Sequence, residues 1–221
     1  PENLKPDGTP YDLFKDGLRI ETTIDPVYQK LALEAVLEQM PKLQASYFRH
    51  WKGMNPFTYD MDDAQKSIVN ATLDRMIHES ERYQDMRYSR LGALIQEMQE
   101  NVANLVYTDT EIEWMLDEEK NPGRIAGLQS KGTIRRDKAQ RMRTILDSKE
   151  WQDLKVQYQE LQKATEKAFN TKTTCRIFDY ASPDFEKDSV MTPLDSIKYH
   201  MEILQTGVMV MDPTTGFVKA W

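Results

Sequence analysis

Gln205-Thr206-Gly207-Val208-Met209-Val210-Met211-Asp212-Pro213-Thr214-Thr215-Gly216-Phe217-Val218-Lys219-Ala220-Trp221 is the stretch on which the fold turns. Two short apolar runs flank a turn whose residues each have a mechanical task. The Asp212 side chain accepts hydrogen bonds from turn backbone. Pro213 presets φ at the next position, and Gly216 takes the left-handed conformation that closes a type I turn with a bulge. The pattern predicts a β-hairpin. Val208 to Met211 does not alternate with polar residues, so this strand expects cover on both faces. A two-stranded hairpin alone is marginal in water. The sheet is therefore expected to continue outside this sequence, and the chain is read as a segment of a longer protein.

Upstream of the hairpin, Thr192 caps a short helix over residues 193–204, with Pro193 opening it and Ile197, Met201 and Leu204 turned inward. Thr173 to Tyr180 reads as a strand. Ser182-Pro183-Asp184 turns, and residues 188–192 return beside it. From Met61 to Asn170 glycine is rare and helix formers dominate. Asp62 or Asp63 caps a helix with Val69, Leu73, Met76 and Ile77 on one face. A second helical run spans about residues 91–105. Thr108 with Glu111 is a capping box for a third, whose apolar residues are Ile112, Met115 and Leu116. Residues 121–123 and 129–132 read as loop. A long helix, or a helix pair, covers about residues 134–169, with Ile145, Leu146, Trp151, Leu154, Tyr158 and Leu161 inward. These helices are expected to pack antiparallel.

At the other end, residues 1–16 carry Pro, Gly and Asp and read as a leading linker. Leu18, Ile20, Thr22 and Ile24 alternate with Arg19, Glu21 and Thr23, which predicts a half-buried strand. Asp25-Pro26 starts a helix with Val27, Leu31, Ala35 and Val36 inward. Pro41 kinks or restarts it, and a second amphipathic run covers Leu43 to Trp51.

The 221 residues suffice for one large or two small domains. Hydrophobic content is 39 %, charged content 29 %, and the net charge −7 gives no bulk attraction to nucleic acid. No window approaches the ~20 apolar residues of a membrane helix. Cys175 is the single cysteine. That rules out an internal disulfide and a cysteine-based metal site, and its strand setting predicts a buried, inert thiol.

Two signatures share one chain order: Gly17-Leu18-Arg19-Ile20-Glu21-Thr22-Thr23-Ile24-Asp25 with Gln29, and Gly207 to Trp221 with its Asp-Pro-x-x-Gly turn. Together they resemble the class A penicillin-binding proteins. His50-Trp51-Lys52-Gly53, Asn55-Pro56 and Met191-Thr192-Pro193-Leu194-Asp195-Ser196-Ile197 look like the penicillin-binding protein 1A branch. The resemblance covers roughly residues 14–56 and 171–221; the helical middle departs from the family pattern. It implies a parent that polymerises lipid-linked disaccharide and cross-links stem peptides through a serine. The family's Ser-x-x-Lys, Ser-x-Asn and Lys-Thr-Gly motifs do not occur in this sequence. Lys131-Gly132-Thr133 has the wrong order, and Ser196-Ile197-Lys198 is one residue short.

Other candidates have plain structural readings. Asp60, Asp62 and Asp63 lack the further ligands of a calcium loop and read as helix caps. Asp117-Glu118-Glu119 reads as a solvated face. His50, His78 and His200 have no ligand-spaced partners. Lys131, Arg135, Arg136, Lys138, Arg141 and Arg143 form a basic cluster, read as a solvated helix face or as a contact for anionic lipid or an acidic partner. Trp51, Trp114 and Trp151 read as core or inter-helix anchors.

The expected fold is α+β, mainly α, with small antiparallel β-sheet elements at both ends of the chain and a large helical insertion between them. Residues 1–56 are a linker with a strand and helix leading into the transpeptidase region, 57–170 the helical insertion, 171–192 a strand pair, and 193–221 the helix and first hairpin of a transpeptidase domain. By resemblance, the chain is a non-catalytic interdomain segment of a bifunctional peptidoglycan glycosyltransferase and serine-type DD-transpeptidase. The segment itself is expected to be inactive and periplasmic, its parent anchored to the inner membrane outside these residues. No residue is expected to be catalytic, to bind a cofactor or to ligate a metal. Its expected partners are the flanking catalytic domains. The alternative is a helical interaction module docking another cell-envelope protein.

Overall fold

A computed structural model describes residues 4–12, 14–19, 21–101 and 107–221. Eight helices and four strands occur among them: α1 Pro26–His50, α2 Asp63–Glu79, α3 Glu81–Asn101, α4 Asp109–Lys120, α5 Arg124–Ser130, α6 Arg136–Leu146, α7 Lys149–Asn170, β1 Thr173–Phe178, β2 Glu186–Met191, α8 Pro193–Met201, β3 Val210–Met211 and β4 Val218–Ala220. The protein is mainly α with two small antiparallel sheets, β1–β2 and β3–β4. Both sheets lie toward the C-terminal end. The expected continuation of residues 102–105 lies outside the described residues.

The chain divides into two compact units: Gly53–Glu202, and Pro1–Lys52 with Ile203–Trp221. The larger has its core where α3 pairs with α7 and where α4, α5 and α6 pack on one another and α6 on α7. Trp151, Leu154, Tyr158 and Leu161 recur at three- and four-residue spacing on α7 and are fully buried, beside Leu91, Ile112, Met115 and Met142. Fully burying one such apolar side chain contributes on the order of 1.5–3 kcal/mol. The helix pair foreseen over 134–169 is α6 and α7, divided at Asp147-Ser148, with Ser148 Oγ accepting from Trp151 N–H. On α2, Leu73 is buried and Val69, Met76 and Ile77 are half-buried, as expected. Helix α5 was not foreseen. It starts at Gly123, whose φ of 105° suits glycine, and buries Ile125 and Leu128.

The hairpin β1–β2 pairs Thr173 with Met191 through to Phe178 with Glu186. Alternation along β1 buries Cys175 and Ile177 and leaves Arg176 exposed beside Glu186 and Asp188. Cys175 is thus a core thiol. Helix α8 packs on β1, and Tyr199 donates from its hydroxyl to the Phe178 carbonyl at 2.8 Å.

In the smaller unit the closing hairpin forms as the sequence predicts. Thr214 N–H donates to Asp212 Oδ1 at 2.9 Å, Gly216 has φ 72°, and a bulge falls between Val210 and Met211. That Thr214 bond is the main cause holding the Asp212 carboxyl below its ordinary pKa. The expected strand over 18–24 is not in a ladder. Its described residues run irregularly, with Thr23 Oγ1 and Asp25 N–H donating to Val218 O and Lys219 O. From Asp25 the backbone turns into α1, so the segment touches β4 at Thr23 and Asp25 without forming a ladder. Helix α1 runs through Pro41 without a break. The proline removes one bond, to the carbonyl of exposed Leu37, which solvent can serve. Its covered side carries Gln29, Ala32, Val36, Met40 and Gln44, whereas Val27 and Leu31 are exposed. The inward face expected from Val27, Leu31 and Ala35 is therefore corrected.

Candidate functional site

Helix α4 concentrates the polar chemistry of the larger unit. Its capping box forms: Thr108 Oγ1 accepts from Glu111 N–H, and Glu111 Oε2 accepts from Thr108 N–H. Six carboxylates project from twelve residues, and all six are tied to neighbouring elements. Asp109 accepts from Arg87 Nε at 2.6 Å and from the Tyr83 hydroxyl at 2.7 Å. The same guanidinium donates to the Tyr107 carbonyl. Buried Glu111 pairs with Lys138. Glu113 accepts from the Tyr158 hydroxyl at 3.1 Å. Asp117 pairs with Arg124 at 3.1 Å, and Glu118 accepts from Gly123 N–H and Ile125 N–H at the start of α5. Glu119 accepts from Trp151 Nε1 at 2.7 Å and from Lys155 Nζ at 3.0 and 3.1 Å. The reading of Asp117-Glu118-Glu119 as a solvated face is corrected. Glu119 finds its partners 32 and 36 residues away, beyond any local pattern, and Asp117 and Glu118 find theirs at the start of α5.

The energetics follow from these partners. Burial pushes the Glu119 carboxyl up, but the Trp151 and Lys155 bonds outweigh it and hold it below its ordinary value. Burial, then the adjacent carboxylates, push the Tyr83 and Tyr158 phenols well above theirs. Both stay neutral donors. Tyr107 is pushed up to about 12, by burial first and then by Glu111. Its hydroxyl and Thr165 Oγ1 are buried without a hydrogen-bond partner among the described residues.

A cleft of about 570 Å³ opens beside this network, lined among others by Asp74, His78, Arg87, Tyr107, Asp109 and Glu113. A second, of about 300 Å³, shares Asp74, His78 and Glu113 and adds Tyr83, Thr165 and Phe169. No serine, cysteine or lysine lines either among the described residues. Asp109 and Glu113 are committed to Arg87 and to tyrosine hydroxyls. Around α4 these ties form a braced scaffold.

The remaining candidates resolve separately. Asp62 caps α2 through a capping box with Gln65. His78 bonds the Asp74 carbonyl; His200 bonds the Ser196 carbonyl and accepts weakly from Phe178 N–H at 3.4 Å. No metal-ligating cluster of three or more His, Cys, Asp or Glu occurs among the described residues. Trp151 is a core anchor, Trp114 packs at the core's edge, and Trp51 is half-buried near the Tyr47 ring. Lys131-Gly132-Thr133 lies in the loop between α5 and α6. The basic cluster divides. Lys138 turns to Glu111 and Arg141 to Asp137, while Lys131, Arg135, Arg136 and Arg143 are exposed. No helix is long and apolar enough to cross a membrane, among the described residues.

Residues 131–204 match the family model of the penicillin-binding protein middle domain. The match runs from the loop before α6 through α8. It thus begins inside the helical region that the sequence reading set apart from the family pattern. It relates the chain to the penicillin-binding proteins, and so to cell-wall synthesis in the cell envelope. No curated protein matches the chain, and no solved structure does.

Proposed function

We propose that the chain is a non-catalytic interdomain segment of a class A penicillin-binding protein of the 1A type, a bifunctional peptidoglycan glycosyltransferase and DD-transpeptidase. In this reading the segment is periplasmic and sets the relation between the two catalytic domains. The observation that carries it is the middle-domain match over residues 131–204, flanked by the two signatures at 17–29 and 207–221. The ties radiating from α4 supply the stiffness that a spacer needs. In this reading the acyl transfer belongs to residues elsewhere in the parent, in keeping with a sequence that holds no Ser-x-x-Lys, Ser-x-Asn or Lys-Thr-Gly.

The test is twofold. The chain incubated with fluorescent penicillin should take no covalent label; stoichiometric, serine-dependent labelling overturns the reading. In a longer protein carrying both catalytic domains, Asp109→Ala with Glu119→Ala should lower cross-linking per polymerised strand while each activity assayed alone persists. Unchanged coupling removes the positioning role.

A second reading, a helical module over residues 57–170 that docks another cell-envelope protein, draws on exposed apolar side chains there. Ile68 is 68 %, Tyr88 80 % and Val156 53 % exposed. Capture of a specific partner that is lost in Ile68→Ser and Tyr88→Ser variants would favour it.

A further inference from the structure

Between Arg124 and Arg143 the sequence holds seven cationic side chains and one carboxylate, Asp137, in a chain of net charge −7. The fold sorts these cations. Arg124, Lys138 and Arg141 are spent on Asp117, Glu111 and Asp137. Lys131, Arg135, Arg136 and Arg143 are exposed and have no ion pair among the described residues. Arg136 and Arg143 lie seven residues apart on α6, so they share one face. Lys131 and Arg135 lie just before it in the chain. The adjoining stripe of α6, with Ala139, Met142 and Ile145, is buried in the core, so the two arginines stand at its solvent edge. The start of α6 has no side-chain cap, so its positive dipole end adds to the same field.

We propose that this basic face docks on the headgroup layer of a membrane containing anionic phospholipid. Three observations choose that partner. No large apolar side chain between Tyr88 and Val156 is exposed among the described residues, so the face lacks the apolar anchors around which protein interfaces are built. Residues 124–143 contain no aromatic residue to stack on nucleic-acid bases. Guanidinium groups engage phosphate through a planar fork, and three of the four unpaired cations are arginines. With the apolar face of α6 committed to the core, contact is electrostatic, without insertion, and falls with salt. The docking takes its membrane from the cell-envelope relation and is independent of the positioning role.

Flotation of the 221-residue chain with vesicles tests it. At low salt the chain should float with phosphatidylcholine vesicles containing phosphatidylglycerol, and should stay behind with phosphatidylcholine alone or in 0.5 M salt, a condition set by screening. Each basic residue near such a surface is worth about fivefold in binding. The triple variant Arg135→Gln, Arg136→Gln, Arg143→Gln should therefore bind at least ~10-fold more weakly. Lys66→Gln, Lys163→Gln, Lys172→Gln, with the same charge change elsewhere, should bind within about twofold of the original. Circular dichroism should show both variants folded. No flotation at low salt overturns the proposal, as does equal loss in the two triple variants. So does binding of polyglutamate with no binding of anionic vesicles, which would make the partner an acidic protein.

Discussion

The side-chain amide of Gln29 bonds the main chain of Trp221 in both directions, Nε2 donating to the carbonyl at 2.9 Å and Oε1 accepting from the N–H at 2.9 Å. A glutamine on α1 thereby does what a neighbouring strand would do for the residue after β4. Two bonds of this kind are worth ~0.5–1.5 kcal/mol each at most, and less where water competes. Gln29→Glu keeps the acceptor and loses the donor, and sets a carboxylate against a carbonyl. The amide proton of Trp221 should exchange faster in Gln29→Ala, and Gln29→Glu, which keeps the acceptor for that N–H, should restore only part of its protection.

Arg87 and Asp109 are both largely buried, with side-chain exposures of 19 % and 17 %. Removing the carboxylate strands a guanidinium and the Tyr83 hydroxyl together. Asp109→Ala should lower stability by roughly 3–5 kcal/mol, the range for breaking a buried ion pair by removing one partner. Urea unfolding followed by tryptophan fluorescence measures it. A loss below about 0.5 kcal/mol would place the pair among surface salt bridges.

Glu119 carries an acid-side dependence. Its carboxyl is held below its ordinary value of 4.5, so the folded state binds its proton less readily than the unfolded state does. The stability it contributes is present above pH 4.5 and lost as pH falls through its lower, folded value. Glu119→Gln keeps an acceptor for the Trp151 indole but does not titrate. Its stability should fall less steeply on acidification below pH 4.5 than that of the original chain.

Tyr107 gives the opposite sign. Its phenol rises from 10.0 to about 12, so folding favours the neutral form. The corresponding stability is complete below pH 10.0 and is lost as pH rises through about 12. The hydroxyl is also buried without a partner among the described residues. Tyr107→Phe should therefore raise stability by up to about 1 kcal/mol at neutral pH and reduce the loss above pH 10.0. Thermal melts at pH 7 and pH 11 separate the two effects.

Gly216 closes its turn with φ 72°. A Cβ there meets no atom within 4 Å, so the cost of Gly216→Ala is conformational, about 1 kcal/mol. Local exchange in β3 and β4 should rise while the Gly53–Glu202 unit keeps its protection.

Much of the fold was legible because its signals are local. The cap expected at Asp62 or Asp63, the capping box at Thr108, the Asp212 turn and the Trp151-Leu154-Tyr158-Leu161 stripe each involve residues within a few positions of one another. Three features were not. Helix α5 has seven residues, too few for a periodic signal, and only the pair Ile125 and Leu128 hints at it. Helix α1 is apolar around much of its surface, so periodicity could not say which side β4 would cover. Four of the α4 carboxylates looked like an ordinary wet face because what binds them is supplied by α3, α6 and α7 from 22 to 45 positions away, and Asp117 and Glu118 because the start of α5 that binds them was not foreseen.

Helix α4 reaches α3 through Arg87 and Tyr83, the start of α5 through Glu118, α6 through Lys138, and α7 through Trp151, Lys155 and Tyr158. Four elements therefore share one keystone. None can peel away without pulling on the other three. The region should therefore open as one cooperative unit, so that a protease should find either an intact bundle or an open chain.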